Sequence, residues 1–121
     1  DLGLKESVLE LDGLRTDPRR GSSLLRIRLT ALYKISSDKS GLHVASEHLL
    51  DKTPEDVRRI TEVLIEGHMR GIVAMRTAED VDVRRNEVEK IFMTQATGDL
   101  LNIGIEIVTL RIIDVHIKGG S

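Results

Sequence analysis

The feature that most constrains the fold is a regular alternation over residues 25–35. The odd-numbered residues are all apolar and the even-numbered residues are mostly polar. The apolar set is Leu25, Ile27, Leu29, Ala31, Tyr33 and Ile35, and the polar set is Arg26, Arg28, Thr30 and Lys34. A period of two with one apolar side is typical of a strand in a sheet that buries one face. The sequence therefore predicts a sheet with a covering layer on that side.

Two further segments supply strands. Residues 8–12 alternate loosely and predict a short strand, and residues 105–115 are rich in β-branched side chains and predict a closing strand. On the closing strand three apolar residues fall on the face opposite Ile105, Ile107 and Ile113, namely Val108, Leu110 and Ile112. We expect that outer face to be covered by a neighbouring subunit.

The middle of the chain carries signals for helix starts. Ser40 predicts a short helix that runs through Leu50. Thr53 stands at an N-cap position, Pro54 follows at the first helical position, and Asp56 supplies an acid two residues later. These three agree on a helix start, because the hydroxyl, the absent N–H and the acid all suit a helix N-terminus.

The helix that begins at Pro54 is predicted to bury a stripe formed by Val57, Ile60, Leu64, Ile72 and Met75. Thr77 opens a further helix that is predicted to run to about Gln95, and Gly104 is placed to end a last turn. Strands, then helices, then a strand predict an α+β domain, with an antiparallel or mixed sheet and helices on one face. We expect residues 1–117 to form this single domain and residues 118–121 to be a tail added to an excised domain.

Composition excludes several classes of function. Eighteen Lys and Arg against twenty Asp and Glu give a net charge of −2, which argues against a non-specific nucleic-acid binder. Aromatic residues are only 2%, so the chain has no platform for stacking bases. The chain has no cysteine, which excludes disulfides, thiolate nucleophiles and Cys-bound zinc. No apolar run approaches the roughly 18 residues of a membrane span.

The histidines do not form a metal or catalytic motif. His43 and His48 are five residues apart, which places them about 140° apart around a helix rather than on one face. His68 has no acidic or His partner four residues away, so we expect a packed or hydrogen-bonded structural role. The chain also lacks a nucleophile elbow and a P-loop. We therefore predict no catalytic residue, no metal and no cofactor.

Two features are candidates for interaction. Arg15, Arg19 and Arg20 form a basic loop that could contact anionic headgroups or an acidic partner, the alternative being a solvated turn. Gly67 and Gly71 lie within the predicted helix, where each costs about 1 kcal/mol relative to Ala. We expect them near the inward stripe, where they would permit close backbone packing or assembly; the alternative is that they have no special role.

Three parts of the chain resemble the SPFH or band-7 domain, and the flotillin branch within it. Residues 64–72 (LIEGHMRGI) resemble the flotillin Leu-Glu-Gly-His-Leu-Arg helix. Residues 77–81 (TAEDV), followed by Arg85, are similar to a Thr-Val-Glu-x-Ile…Arg segment. Residues 99–107 and then 113–115 resemble an Asp…Met-Gly-Ile-Glu-Ile…Lys-Asp-Val ending. Order and spacing agree over residues 61–115.

The resemblance implies a non-enzymatic protein. Such proteins sit on membranes, assemble into large homo- or hetero-oligomers of related SPFH proteins, and organise lipid microdomains or scaffold other membrane proteins. It implies a location on the cytoplasmic side of a membrane, with attachment through regions outside this fragment. We expect the fragment alone to be soluble and at most weakly associating. The alternative is a small-molecule or headgroup-binding module that uses the basic loop with Arg26 and Arg28.

Overall fold

The computed structural model describes residues 3–36, 49 and 51–118. Its strands are β1 (Lys5–Arg15), β2 (Leu24–Ile35) and β3 (Ile105–Lys118), and its helices are α1 (Pro54–Val73), α2 (Ala78–Val83) and α3 (Arg85–Leu101). A 3₁₀ turn, Pro18–Arg20, lies between β1 and β2. The strands form an antiparallel sheet in the order β1-β2-β3, with the helices on its apolar face. The predicted α+β architecture is confirmed.

The central strand follows its sequence pattern. Leu25, Ile27 and Leu29 are fully buried beneath the helices, while the alternate residues face outward. On the outer face Arg28 lies between Glu10 of β1 and Asp114 of β3, and its guanidinium is 4.0 Å from the Glu10 carboxylate. Cross-strand charge pairing of this kind suits a face that meets solvent.

The first strand is longer than predicted at both ends, and a β-bulge lets it continue past Asp12. Leu11 pairs with Ile27 and Leu14 with Leu25, so Asp12 and Gly13 together oppose one residue of β2. Gly13 has φ +67°, a left-handed conformation that glycine adopts at little cost. The extra residue returns Leu14 to the buried face, where it is fully enclosed.

The closing strand corrects the predicted outer face. Two register shifts leave Val108 and Ile113 as extra residues opposite β2, and each shift exchanges the two faces of the strand. Leu110 and Ile112 consequently point into the core together with Ile105 and Ile107, rather than away from them. The prediction that Leu110 and Ile112 lie on the outer face is therefore wrong, and so is the inward placement of Ile113, which is 49% exposed. Val108 does face outward and is 37% exposed.

The buried stripe of α1 also differs from the prediction. Its fully buried members are Thr61, Ile65, Met69 and Val73, while Met75 lies beyond the helix and is 70% exposed. Val57 and Ile72 are buried as predicted, whereas Ile60 and Leu64 are only half-buried, so the centre of the stripe is displaced by about one residue. Gly67 and Gly71 are therefore exposed, and no atom outside their own helix turns lies within 4 Å of a Cβ built at either one. The prediction that they pack closely against the rest of this chain is wrong.

The helical stretch after Thr77 is interrupted. It was predicted as one helix to about Gln95, but Arg84 (φ −109°, ψ 48°) separates α2 from α3, and α3 continues to Leu101. Gly104, with φ +90°, ends the helical region as predicted and leads into β3. The helix predicted from Ser40 lies outside the described residues, apart from position 49.

Candidate functional site

The basic loop is organised around one buried acid. The Asp17 carboxylate accepts hydrogen bonds from the Arg19 backbone N–H at 2.9 Å and from the Arg19 Nε at 3.2 Å, and Arg20 Nε lies 4.0 Å away. The hydrogen bond from the Arg19 side chain is the main cause that lowers the pKa of Asp17. Two guanidiniums share one carboxylate, so the turn keeps a positive charge, and both side chains are mostly exposed (81% and 67%).

The same turn is fixed to the rest of the domain. The Asp17 N–H donates to the carbonyl of Arg76, just after α1, at 2.9 Å. At the base of the loop Arg15 Nη1 donates to Ser22 Oγ at 3.1 Å. The structure thus brings Arg19 and Arg20 together on Asp17, while Arg15 braces the base of the loop.

A second surface lies on the outward face of α1. Val63 is 64% exposed and stands between two open grooves. The larger groove, about 590 Å³, is lined by Lys52, Asp56, Arg59, Ile60, Val63, Leu64 and Ile103. The smaller groove, about 270 Å³, runs along the β1 side of the helix. Gly67 and Gly71 continue the same face, one and two turns further on.

Both edge strands are contacted by helix side chains at their bulges. Arg70 donates to the carbonyls of Asp12 and Gly13 at 3.2 and 3.1 Å, in addition to its ion pair with Glu66 at 2.7 Å. The pair with Glu66 is local, because the two residues are four apart on one helix. The contact with β1 could not be predicted from the sequence, since no local pattern reports a partner 57 residues away.

One of the two bulges in β3, the one at Ile113, is contacted in the same way. Glu89 on α3 accepts a hydrogen bond from the Ile112 N–H at 2.7 Å, and Arg85 donates to the Ile113 carbonyl at 3.0 Å. Arg85 also pairs with Asp82 at 2.8 Å, which joins the two helices at their break. These contacts fix β3 at Ile112 and Ile113.

His68 connects two helices rather than forming a reactive centre. Its Nε2 lies 3.0 Å from Asp99 Oδ2, and its ring meets the edge of Phe92 at a centroid distance of 6.1 Å. This is the hydrogen-bonded role predicted for His68. Among the described residues no group of three or more His, Cys, Asp or Glu could hold a metal ion. The pair His43 and His48 lies outside the described residues.

The comparison with protein families decides the relationship. A model of the SPFH domain / Band 7 family matches residues 16–119. The chain belongs to this family. Flotillin-2 of Homo sapiens is 33% identical over 94 residues, which cover 78% of this SPFH chain and 22% of that protein. Flotillin-like protein FloT of Bacillus subtilis (strain 168) is 31% identical over 91 residues, covering 75% and 18% respectively.

The chain spans about a fifth of the length of the curated relatives it matches. Flotillin-1 of Homo sapiens is also similar, at 32% identity over 79 residues. The resemblance to a flotillin-type SPFH domain is confirmed. Its LIEGHMRGI segment forms the second half of α1, and its Arg85 is the residue that holds the β3 bulge. No helix in the described part of this SPFH domain is both long and apolar enough to cross a membrane.

Proposed function

We propose that this SPFH domain is a non-enzymatic part of a flotillin-type, membrane-associated scaffold, and that it contributes contacts to an oligomer that organises membrane microdomains. The match of the family over residues 16–119 carries the proposal, since the family is one of membrane-associated scaffolds that are generally non-enzymatic. The proposed partners are other SPFH chains, identical or related. The proposed location is the cytoplasmic side of a membrane, with attachment through regions outside this chain.

The surfaces available for such contacts differ from those predicted. Leu110 and Ile112 are not proposed as contact residues, because they are buried in the core. Val108 remains a proposed contact on the edge of the sheet. Gly67 and Gly71 remain proposed assembly residues, now because they are exposed on α1 rather than because they pack inward.

A membrane-tethering experiment tests the scaffold function. The chain, labelled with donor or acceptor dyes and carrying an added His-tag, is attached to vesicles with nickel-chelating lipids. We expect energy transfer above that of a tethered inert protein of similar mass at equal surface density, because a scaffold domain clusters when it is concentrated on a bilayer. Energy transfer equal to that of the inert protein at every density would contradict the proposal.

A second candidate function uses the basic loop. Arg19 and Arg20 are mostly exposed and are oriented by one buried carboxylate, which favours contact with an anionic lipid headgroup. We expect the chain to float with phosphatidylserine vesicles at low salt and the variant R19Q/R20Q to lose this binding. The matched control R84Q/K90Q removes the same charge from α3 and its N-terminus. If R19Q/R20Q and R84Q/K90Q bind the vesicles equally well, the loop does not bind the headgroup.

A further inference from the structure

At two points the sequence places consecutive arginines three and two residues before a hydroxyl side chain. One is residues 19–22 (RRGS) and the other is residues 58–61 (RRIT). Basophilic serine/threonine protein kinases select this spacing, because acidic residues of the kinase cleft pair with the two guanidiniums. The spacing alone gives no reason to prefer either hydroxyl.

The structure distinguishes the two hydroxyls. Thr61 lies within α1 with 0% of its surface exposed, and its hydroxyl donates to the Val57 carbonyl at 2.8 Å. Ser22 is half-buried in the loop between β1 and β2, where Arg19 and Arg20 before it are mostly exposed. Of the two hydroxyls, that of Ser22 can therefore reach a kinase cleft without the unfolding of a helix.

The loop also places a cation where a phosphate would stand. Ser22 Oγ accepts a hydrogen bond from Arg15 Nη1 at 3.1 Å, so a phosphate on that oxygen lies beside a guanidinium. Hydrogen bonds between Arg and phosphate are charge-assisted and frequently bidentate. Three arginines and one aspartate give residues 15–23 a net charge of +2. A phosphoserine adds about −1.5 to −2 charges at neutral pH, which brings the loop close to neutrality.

We propose that Ser22 is a phosphorylation site for a basophilic serine/threonine protein kinase, with Arg19 and Arg20 as recognition residues and Arg15 as the residue that binds the phosphate. The γ-phosphoryl group of ATP passes to Ser22 Oγ, its bond to the bridging oxygen breaks, ADP leaves, and the hydroxyl proton passes to the catalytic aspartate of the kinase. The phosphate then releases the loop from an anionic bilayer. This release rests on the proposed headgroup contact, whereas the modification itself does not.

Phosphorylation of the intact chain by cyclic-AMP-dependent protein kinase, a basophilic enzyme, tests the site. After incubation with Mg-ATP, tandem mass spectrometry should locate one phosphate on Ser22. S22A should gain none, and the matched control S23A, which removes the adjacent hydroxyl, should gain one. A wild-type chain that stays unmodified, a phosphate on Ser23 or Thr61 instead, or an S22A variant modified like the wild type would overturn the assignment.

Variants of the arginines test the recognition and the binding of the phosphate. R19Q/R20Q should lower the initial rate of phosphorylation at least about tenfold, whereas R84Q/K90Q should be modified at the wild-type rate. Equal rates for these two variants would refute the recognition role. Phosphorus NMR should give the phosphate a second pKa below the value of about 6 for free phosphoserine, and R15Q should raise this pKa. An unchanged phosphate pKa in R15Q would refute the contact with Arg15.

Vesicle flotation separates the modification from the headgroup contact. The phosphorylated chain should bind phosphatidylserine vesicles at least about tenfold more weakly than the unmodified chain, and kinase-treated S22A should bind like the unmodified wild type. Equal flotation of the phosphorylated and unmodified chains would refute the release from the bilayer. If the unmodified chain does not float either, the headgroup contact fails, while the mass spectrum still decides whether Ser22 is modified.

Discussion

The β-bulge at Val108 places Val108 and Leu110 on opposite faces of β3, although the sequence pattern predicts one face for both. The two residues should therefore differ in their contribution to the free energy of unfolding. Leu110 is 3% exposed and contacts the core, whereas Val108 is 37% exposed. Truncation of a buried Leu to Ala costs about 2–5 kcal/mol, through lost transfer free energy and the cavity left behind. Val108→Ala removes two carbon groups worth about 0.8 kcal/mol each when fully buried, so its partial burial gives about 1 kcal/mol.

Urea denaturation of Leu110→Ala and Val108→Ala, followed by circular dichroism, measures the two losses. We expect the free energy of unfolding to fall at least twice as far for Leu110→Ala, with an unchanged dependence on urea for both variants. Phe92→Ala is a positive control, because Phe92 lies in the same core at 0% exposure. Similar small losses for Leu110 and Val108 would show that the strand alternates without the bulge, and would refute the reasoning.

Three single substitutions test other parts of the domain. Gly71→Ala should raise the free energy of unfolding by about 0.5–1 kcal/mol in dilute solution, since the site is helical and open; thermal unfolding at or below the wild-type midpoint would contradict this. The lowered pKa of Asp17 stabilises the fold above the unfolded pKa near 3.8, and this is lost as the pH falls through the folded pKa. Asp17→Asn should therefore show a flatter loss of stability between about pH 5 and pH 2; an unchanged slope would count against it. Asp99→Asn weakens the bond to His68 at an exposed site and should cost less than about 1 kcal/mol in urea denaturation; a larger loss would give the pair a greater role.

The elements that the sequence predicted well are those with local causes. The alternation over residues 25–35 requires one buried face whatever the neighbouring strands do. The start of α1 is likewise local: the Thr53 hydroxyl accepts from the Asp56 N–H at 3.1 Å, and the Asp56 carboxylate accepts from the Thr53 N–H at 3.2 Å. Such signals depend only on residues within one turn, so they survive in any tertiary context.

The elements that it missed depend on distant partners. The phase of the buried stripe of α1 was misjudged because Thr61, a polar residue, is fully buried. Its hydroxyl donates to the Val57 carbonyl at 2.8 Å and so carries no unsatisfied group into the core. The bulges at Gly13 and Val108 arise from the pairing of strands far apart in sequence, and no period within a single strand reports them.

The bulges also affect whether another chain can add a strand to this sheet. An edge strand presents unpaired N–H and C=O groups that would otherwise join the sheet of another chain. In the described part of the chain Arg70 engages the carbonyls at the β1 bulge, and Arg85 and Glu89 engage the backbone at the β3 bulge. Extension of the sheet past either point would require these contacts to break. These two points of the sheet edges are therefore unfavourable places for another chain to add a strand.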